Sequence, residues 1–493
     1  MNLALALPIV APLVGAAISM MIRHLMIQRI ISFIALTISF VSSLVIISTV
    51  VADDDIVVSR LGGWPSQIAI ILVADRLAAV MLLIAISVVG VVLVYSIGQQ
   101  ATDEHSPAYH PVYLVLAAGL AQAFLAGDLF NLFVAFELLL VSSYVLLTLE
   151  GTDKQIRSGV TYVVLNVLES TILLLGIGLV FAATGTINMA ELPERLAALP
   201  DGVQMGLNML LLVAFGIKSA VFPLYFWLPD SYPTAPSSMT AVFAGLLTKV
   251  GVYSIIRTET LLIPGGQSTL LLVVAGFTMI IGVLGAISHY NMKRILSFHT
   301  VSQIGYIILG VGIGTQLGFT ATIFYLMLYI PVKTALFLIE GIIERETGSS
   351  AFDEIDGLAK RSGFLALLFL IPALSLAGLP PFSGFLAKLA VIQAGFEQGQ
   401  YVIIAVAIIG SFLTLVSMTK IWIGLFWGEV RPIPPDDRIG IMRHHKVMSA
   451  ASIGLVAATL VLAACAGPLY DFSSDAARQL LDSSLYINAV RGS

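Results

Sequence analysis

Long apolar stretches recur along this chain from one end to the other, and that recurrence constrains the fold more than any other feature. A helix needs about 20 apolar residues to cross a bilayer. Fourteen segments of that kind occur, near 3–22, 27–51, 73–98, 109–126, 129–149, 156–183, 205–226, 237–258, 268–289, 295–313, 317–343, 363–396, 401–427 and 447–466. The connections between them are short, which leaves no room for a separate water-soluble domain. With 58% hydrophobic and 11% charged residues over 493 positions, the composition lies far from that of a soluble globular protein. The expected fold class is an all-α polytopic membrane protein of about 14 transmembrane helices. The apolar N-terminus has no basic stretch before it and is expected to be the first span rather than a cleaved signal. A single cysteine, Cys465, excludes an internal disulfide.

Orientation follows from Lys and Arg in the connections. The odd-numbered connections carry Arg23, Arg29, Lys154, Arg157, Lys293, Arg294, Arg345, Lys360, Arg361, Arg431, Arg438, Arg443 and Lys446, and the even-numbered ones only Arg60, Arg195 and Arg257. This bias places the odd connections in the cytoplasm and both termini on the outer side of the membrane. The net charge of −5 says little about partners in such a chain.

Charges inside the spans are the next signal. A charge at the bilayer centre costs about 2.5 to 3.5 kcal/mol even on lenient scales, so such groups face a protein interior or a water path. The spans contain Glu137, Glu169, Lys218, Lys249, Lys333, Lys388 and Lys420. Lys420 is close enough to the end of its span to snorkel. Lys218, Lys249 and Lys388 lie too deep for that. Glu169 is either an interhelical hydrogen-bonding group or a supporting member of a charge path.

Two of the deep lysines adjoin helix breakers. Lys218 precedes "VFPLYFWLPDSYP", and Lys388 follows "LAGLPPFSGF". An interior proline deletes a backbone hydrogen bond and strains the preceding turn, and within membranes such breaks persist where they line a cavity or an ion path. If spans 4–8 and 9–13 are two five-helix repeats, each Pro-broken helix is the fourth member of its repeat. An odd number of spans per repeat makes the second inverted relative to the first, an arrangement that points to a transport site. The expected organisation is residues 1–108 as three leading helices, 109–258 as the first repeat, 259–430 as the inverted second, and 431–493 as a last helix and tail.

The strings "DLFNLFVAFELLLVSSYVLL", "IKSAVFPLYFWLPDSYPTAPSSMTAVFAGLLTKVGVYSIIR", "HYNMKRILSFHTVSQIGYIILG", "KTALFLIEG" and "LPPFSGFLAKLAVIQ" occur in this order. They resemble the antiporter-like subunits shared by respiratory complex I and the Mrp-type multisubunit cation/proton antiporters, and their wording is most similar to the D-type branch of the Mrp subunits. The resemblance runs from about residue 109 to 430. It implies that Glu137 on span 5 pairs with Lys218 on the broken span 7, and that a proton relay continues through Lys249, Lys333 and Lys388. Burial lowers a lysine's proton affinity and a nearby carboxylate raises it, so moving the partner would release or recapture the proton. Tyr325 and Tyr329 stand where several relatives have histidine, which would make the middle of the relay depend on water. His299 is expected near a cytoplasmic helix start, either as a proton-uptake group or as a polar terminal residue.

The implied partners are other membrane subunits, protons, monovalent cations and the lipid bilayer, with no nucleic acid. No cysteine cluster, spaced histidine pair or G-x-x-x-x-G-K-[ST] loop is present, so no cofactor is expected. The leading expectation is a secondary-transport subunit rather than an enzyme. The alternative is a proton-pumping subunit of complex I or of a membrane-bound hydrogenase, and a third class is a scaffold whose charges only hold helices together. The residues do not identify a metal or sodium site.

Overall fold

In the computed structural model, residues 2–61, 69–99, 106–429 and 446–492 are described, and they are almost entirely helical. The first group of helices is α1 (Asn2–Met21), α2 (Leu25–Ala52), α3 (Arg76–Gln99), α4 (Tyr109–Leu125), α5 (Leu129–Leu147), α6 (Asp153–Thr184), α7 (Asp201–Ser219) and α8 (Ser237–Leu262). The second is α9 (Ser268–Ser288), α10 (Met292–Ile313), α11 (Gln316–Thr347), α12 (Gly363–Ala377), α13 (Ser383–Glu397), α14 (Tyr401–Phe426), α15 (Lys446–Ala464), α16 (Ala466–Leu481) and α17 (Ser483–Gly492). Among the described residues, 12 helices are long and apolar enough to cross a membrane, and two shorter apolar ones, α4 and α12, lie over predicted spans 4 and 12. Arg431, Arg438 and Arg443 fall outside the described residues.

Two predicted spans have different limits in the structure. Span 7 stops at Ser219 rather than 226, because Ala220 is left-handed (φ 57°) and a cis Phe222–Pro223 bond follows before a short turn at Trp227–Ser231. Span 12 is two helices, parted by the left-handed Gly378 (φ 85°) and a cis Pro380–Pro381 bond. Only glycine reaches such a φ without strain. Gly384 is required for a different reason: a Cβ there would overlap the Ser375 carbonyl oxygen.

Burial separates the centre from the periphery. The apolar windows of α8 and α11 are 100% buried and that of α10 is 94% buried, against 33% for α1 and α14. The three central helices carry Lys249, Lys333 and His299. Lipid tails are as apolar as leucine, so close packing and polar satisfaction, rather than exclusion of water, hold such helices together.

One end of the molecule holds what the sequence reading missed. Residues before α3 form an antiparallel hairpin, β1 (Val57–Leu61) with β2 (Ile70–Ala74), Val57 opposite Ala74. Asp128 caps α5, its side chain accepting from the Asn131 amide at 2.7 Å, and also accepts from the Ile71 amide of β2 at 3.2 Å. Arg257, expected in a connection, is instead a buried residue of α8 whose guanidinium forks onto Asp75 at 2.5 and 2.7 Å. The tail after residue 464 is helical: α16 packs on α11, and its Gln479 accepts from the Arg76 amide at 2.9 Å.

Candidate functional site

Lys218 occupies the last turn of α7, one residue before that helix stops. Its Nζ lies 3.6 Å from Glu169 Oε2 and 3.5 Å from Asn166 Oδ1, both on α6 and three residues apart, so they share a helix face. The carboxylate in contact with Lys218 is therefore Glu169 and not Glu137. On α5 it is Phe136 that turns toward the lysine, with Nζ 5.2 Å from the ring centre. Successive helical residues point about 100° apart, so Glu137 faces another side of α5, and among the described residues it forms no ion pair within 4 Å. Its Oε1 is buried without a hydrogen bond, within electrostatic reach of Glu169. The break after Lys218 is well supported. Trp227 Nε1 donates to the Ile217 carbonyl at 2.9 Å, and Gly251 of α8 packs so tightly that a Cβ would lie 2.5 Å from Ser219 Oγ.

Lys249 follows a π-helical turn of α8, Phe243–Leu247. Such a turn loosens the carbonyl ladder, and Lys249 Nζ donates to the Ala244 carbonyl at 2.5 Å and to Thr248 Oγ1 at 3.2 Å. Lys333 is fully buried on α11 and donates to the Leu296 carbonyl of α10, within electrostatic reach of Lys249. Lys388, in the second turn of α13, lies against the break before it. Its Nζ donates to the Ala377 carbonyl at 3.2 Å and to Ser411 Oγ at 3.1 Å. Ala377 is the last residue of α12, so this ammonium, like that of Lys218, sits at the negative end of a half-helix.

Each of the four lysines lies over an aromatic ring, and two of those rings connect. Lys249 lies 4.7 Å above Tyr329, and Lys388 lies 4.9 Å above Tyr306. Tyr325 bridges them, 5.9 Å from each ring centre. Beside this stack is a cavity lined by Gln303, Tyr325, Tyr329, Ser375 and Gly384, with about 10 Å³ of space for the centre of a water molecule. That is room for roughly one water, and Gln303 Nε2 there lacks a hydrogen bond.

The structure thus brings together Glu169 with Lys218, Lys249 with Lys333, and Lys249 with Lys388 through tyrosines. No hydrogen bond or ring contact among the described residues joins Lys218 to Lys249. His299 is not at a wet helix start. It is fully buried two turns into α10, with Nε2 2.5 Å from Ser417 Oγ of α14, facing Lys333 and Lys388. Lys420 is partly exposed at the end of its span, and it closes the end of α9, donating to the Ile287 and His289 carbonyls at 2.6 and 2.7 Å.

Sequence reasoning missed Glu340. It lies within predicted span 11 and inside the string "KTALFLIEG", so a plain count of charges per span would have found it. It is fully buried on α11, near Glu344 and Lys293. Among the described residues, no group of three or more His, Cys, Asp or Glu is arranged to hold a metal ion.

Residues 126–414 match the family described as NADH:quinone oxidoreductase/Mrp antiporter, transmembrane. The chain is 42% identical to the D subunit of the Na(+)/H(+) antiporter of Alkalihalophilus pseudofirmus and 36% identical to that of Bacillus subtilis, over 99% of each pair of chains. Its fold superposes with a TM-score of 0.92 on a chain of the Mrp complex from Dietzia sp. DQ12-45-1b, at 34% identity, covering 99% of this chain and 100% of that one. A chain of an archaeal membrane-bound sulfane sulfur reductase, 24% identical, shares the fold with a TM-score of 0.89, covering 99% of this chain and 100% of that one. By sequence and by fold, the chain belongs to the NADH:quinone oxidoreductase/Mrp antiporter transmembrane family.

Proposed function

We propose that this chain is the proton-translocating membrane subunit of a multisubunit antiporter that exchanges protons for Na+ or another monovalent cation. The full-length likeness to proteins named as D subunits of Na(+)/H(+) antiporters supports this, as does the likeness to a chain of a solved Mrp complex. The single observation that carries the mechanism is the buried ion pair of Lys218 with Glu169 at the end of the interrupted α7. Two carboxylates, Glu169 and Glu137, compete for this one lysine, and a shift of Lys218 between them changes its readiness to give up a proton. The relay runs from there through Lys249 and Lys333 to Lys388, with Tyr325, Tyr329 and a water in the cavity beside them bridging the middle, and His299 holding the Lys333 and Lys388 region polar. Ion gradients drive this transport, at about 2.3 kcal/mol per charge per 100 mV.

In this reading the helices cross a bacterial inner membrane fourteen times, with both termini outside. Residues 109–258 and 259–430 are the two inverted halves, and neighbouring membrane subunits and lipid cover the outward faces. No feature of the fold favours the complex I alternative.

The test uses everted vesicles from an antiporter-deficient bacterium. With the complete set of subunits, adding Na+ is expected to dissipate a respiration-driven pH gradient. Vesicles holding this chain alone should show no such effect. Robust exchange by the single chain, or none by the full complex with any monovalent cation, contradicts the proposal.

A further inference from the structure

At the end of α11 that the positive-inside reading assigns to the cytoplasm, Glu344 and Glu340 stand one turn apart. Glu344 is well satisfied: its Oε2 accepts from Ser237 Oγ at 2.8 Å and from Lys293 Nζ at 3.0 Å, and its side chain is 40% exposed. Glu340 has 0% exposure; neither of its carboxylate oxygens has a hydrogen bond of good geometry within 3.5 Å, and the Ser237 and Ser350 hydroxyls are the neutral polar groups beside it. Among the described residues, Lys293 of α10 is the cation facing both acids, and its contact within 4 Å is with Glu344. The other titratable groups facing this corner are the Tyr95 phenol of α3, whose Oη donates to the Leu338 carbonyl at 2.8 Å, and Glu150 from the α5–α6 turn, which faces Lys293.

The charge balance decides what Glu340 can be. One lysine neutralises one carboxylate, and two serine hydroxyls do not replace an ion pair, so a second carboxylate, ionised and without a cation in contact, would carry most of the cost of a buried charge. A carboxyl in that position is stable while it carries a proton. Its place on the helix supplies the direction. Glu344, Glu340 and Lys333 are spaced by four and seven residues, so they follow one face of α11 from the exposed end inward. Lys333 in turn bonds the carbonyl of Leu296, one turn from Lys293 on α10.

We propose that Glu340 is a proton-exchange site linking the cytoplasmic surface to Lys333, with Glu344 and Lys293 forming its outer, charged mouth. The group takes a proton from water at the mouth, holds it as a neutral acid, and exchanges it with Lys333, about 10 Å further along the helix, by way of intervening water, so that Glu340 itself adds no charge to the corner at rest. This rests on the antiporter reading for the relay it feeds, but the site itself is tested separately.

The experiment uses the whole purified complex and infrared spectroscopy, with exchange measured in vesicles of the same preparation. The wild type is expected to show the carbonyl-stretch band of a protonated carboxylic acid. In Glu340→Gln that band is lost and exchange falls at least about tenfold, with the complex still assembled. Glu340→Asp, which keeps an acid, should move the band in frequency and retain part of the exchange. A protonated-acid band unchanged in both variants overturns the proposal. So does failure of both variants to assemble, which would make Glu340 a packing group. A band that Na+ abolishes at constant pH marks a cation site and also overturns it. Absence of exchange by the wild-type complex instead refutes the antiporter reading, whatever the infrared result.

Discussion

Lys218 shows how much a single residue can disclose and where disclosure stops. A lysine deep in an apolar run, just before prolines, could be singled out from sequence because hydrocarbon tolerates such a group only with a partner. Which partner was not legible. Glu137 and Glu169 lie on different helices, and only the rotation of α5 and α6 decides which faces the lysine. Phe136 turns in, and Glu169 with Asn166 completes the contact. His299 was misplaced for a similar reason, since its cover comes from Ser417 on α14, over a hundred residues away in sequence. Removing one partner of a buried pair leaves an uncompensated charge worth about 3–5 kcal/mol. Glu169→Gln is therefore expected to lower exchange at least about tenfold while Asn166 keeps the lysine in place. Na+-driven dissipation of the pH gradient, normalised to the amount of assembled complex, measures this. A wild-type rate would mean that Glu169 merely packs beside the lysine.

Among the elements, the two interrupted helices were the most legible, because proline and glycine announce a break whatever surrounds them. Their helical limits were not, since the last helical residue depends on local closure: a left-handed Ala220 in one and Gly378 in the other. The hairpin β1–β2 and the helices α16 and α17 escaped notice because they lie in connections that hydropathy leaves blank. There they serve packing, with Asp75, Arg257 and Gln479 joining distant segments. The second break also supplies a sharp test of its own geometry. Gly384 leaves no space beside the Ser375 carbonyl, so Gly384→Ala must push α13 away from α12 and drag Lys388 off the Ala377 carbonyl. Overpacking of this kind typically costs about 1–3 kcal/mol. Reduced abundance of the complex on native gels, with exchange reduced further than abundance, is the expected pattern. Unchanged exchange would show that the position of Lys388 against the break does not matter.

On the scale of the whole molecule, the family, the helical class and the membrane location followed from periodic hydropathy and five ordered motifs. The centre could be read that way only in part: α8, α10 and α11 are less apolar than the outer α1, α2 and α14, but so is the half-buried α7, and hydropathy alone does not pick out the helices that packing buries. Those three helices carry Lys249, Lys333, His299 and the tyrosines, so the core of the fold and the core of the proposed relay coincide. If this core moves protons as proposed, Lys218 must lose its proton and regain it in each cycle. Arginine tests that directly, since guanidinium keeps the charge and the hydrogen bonds but does not release a proton in proteins. Exchange and complex abundance are measured on the same vesicles for wild type and Lys218→Arg. Proton carriage by Lys218 requires that the variant complex assemble with exchange abolished; assembly with near-normal exchange would rule it out and leave the Lys218–Glu169 pair a purely structural contact.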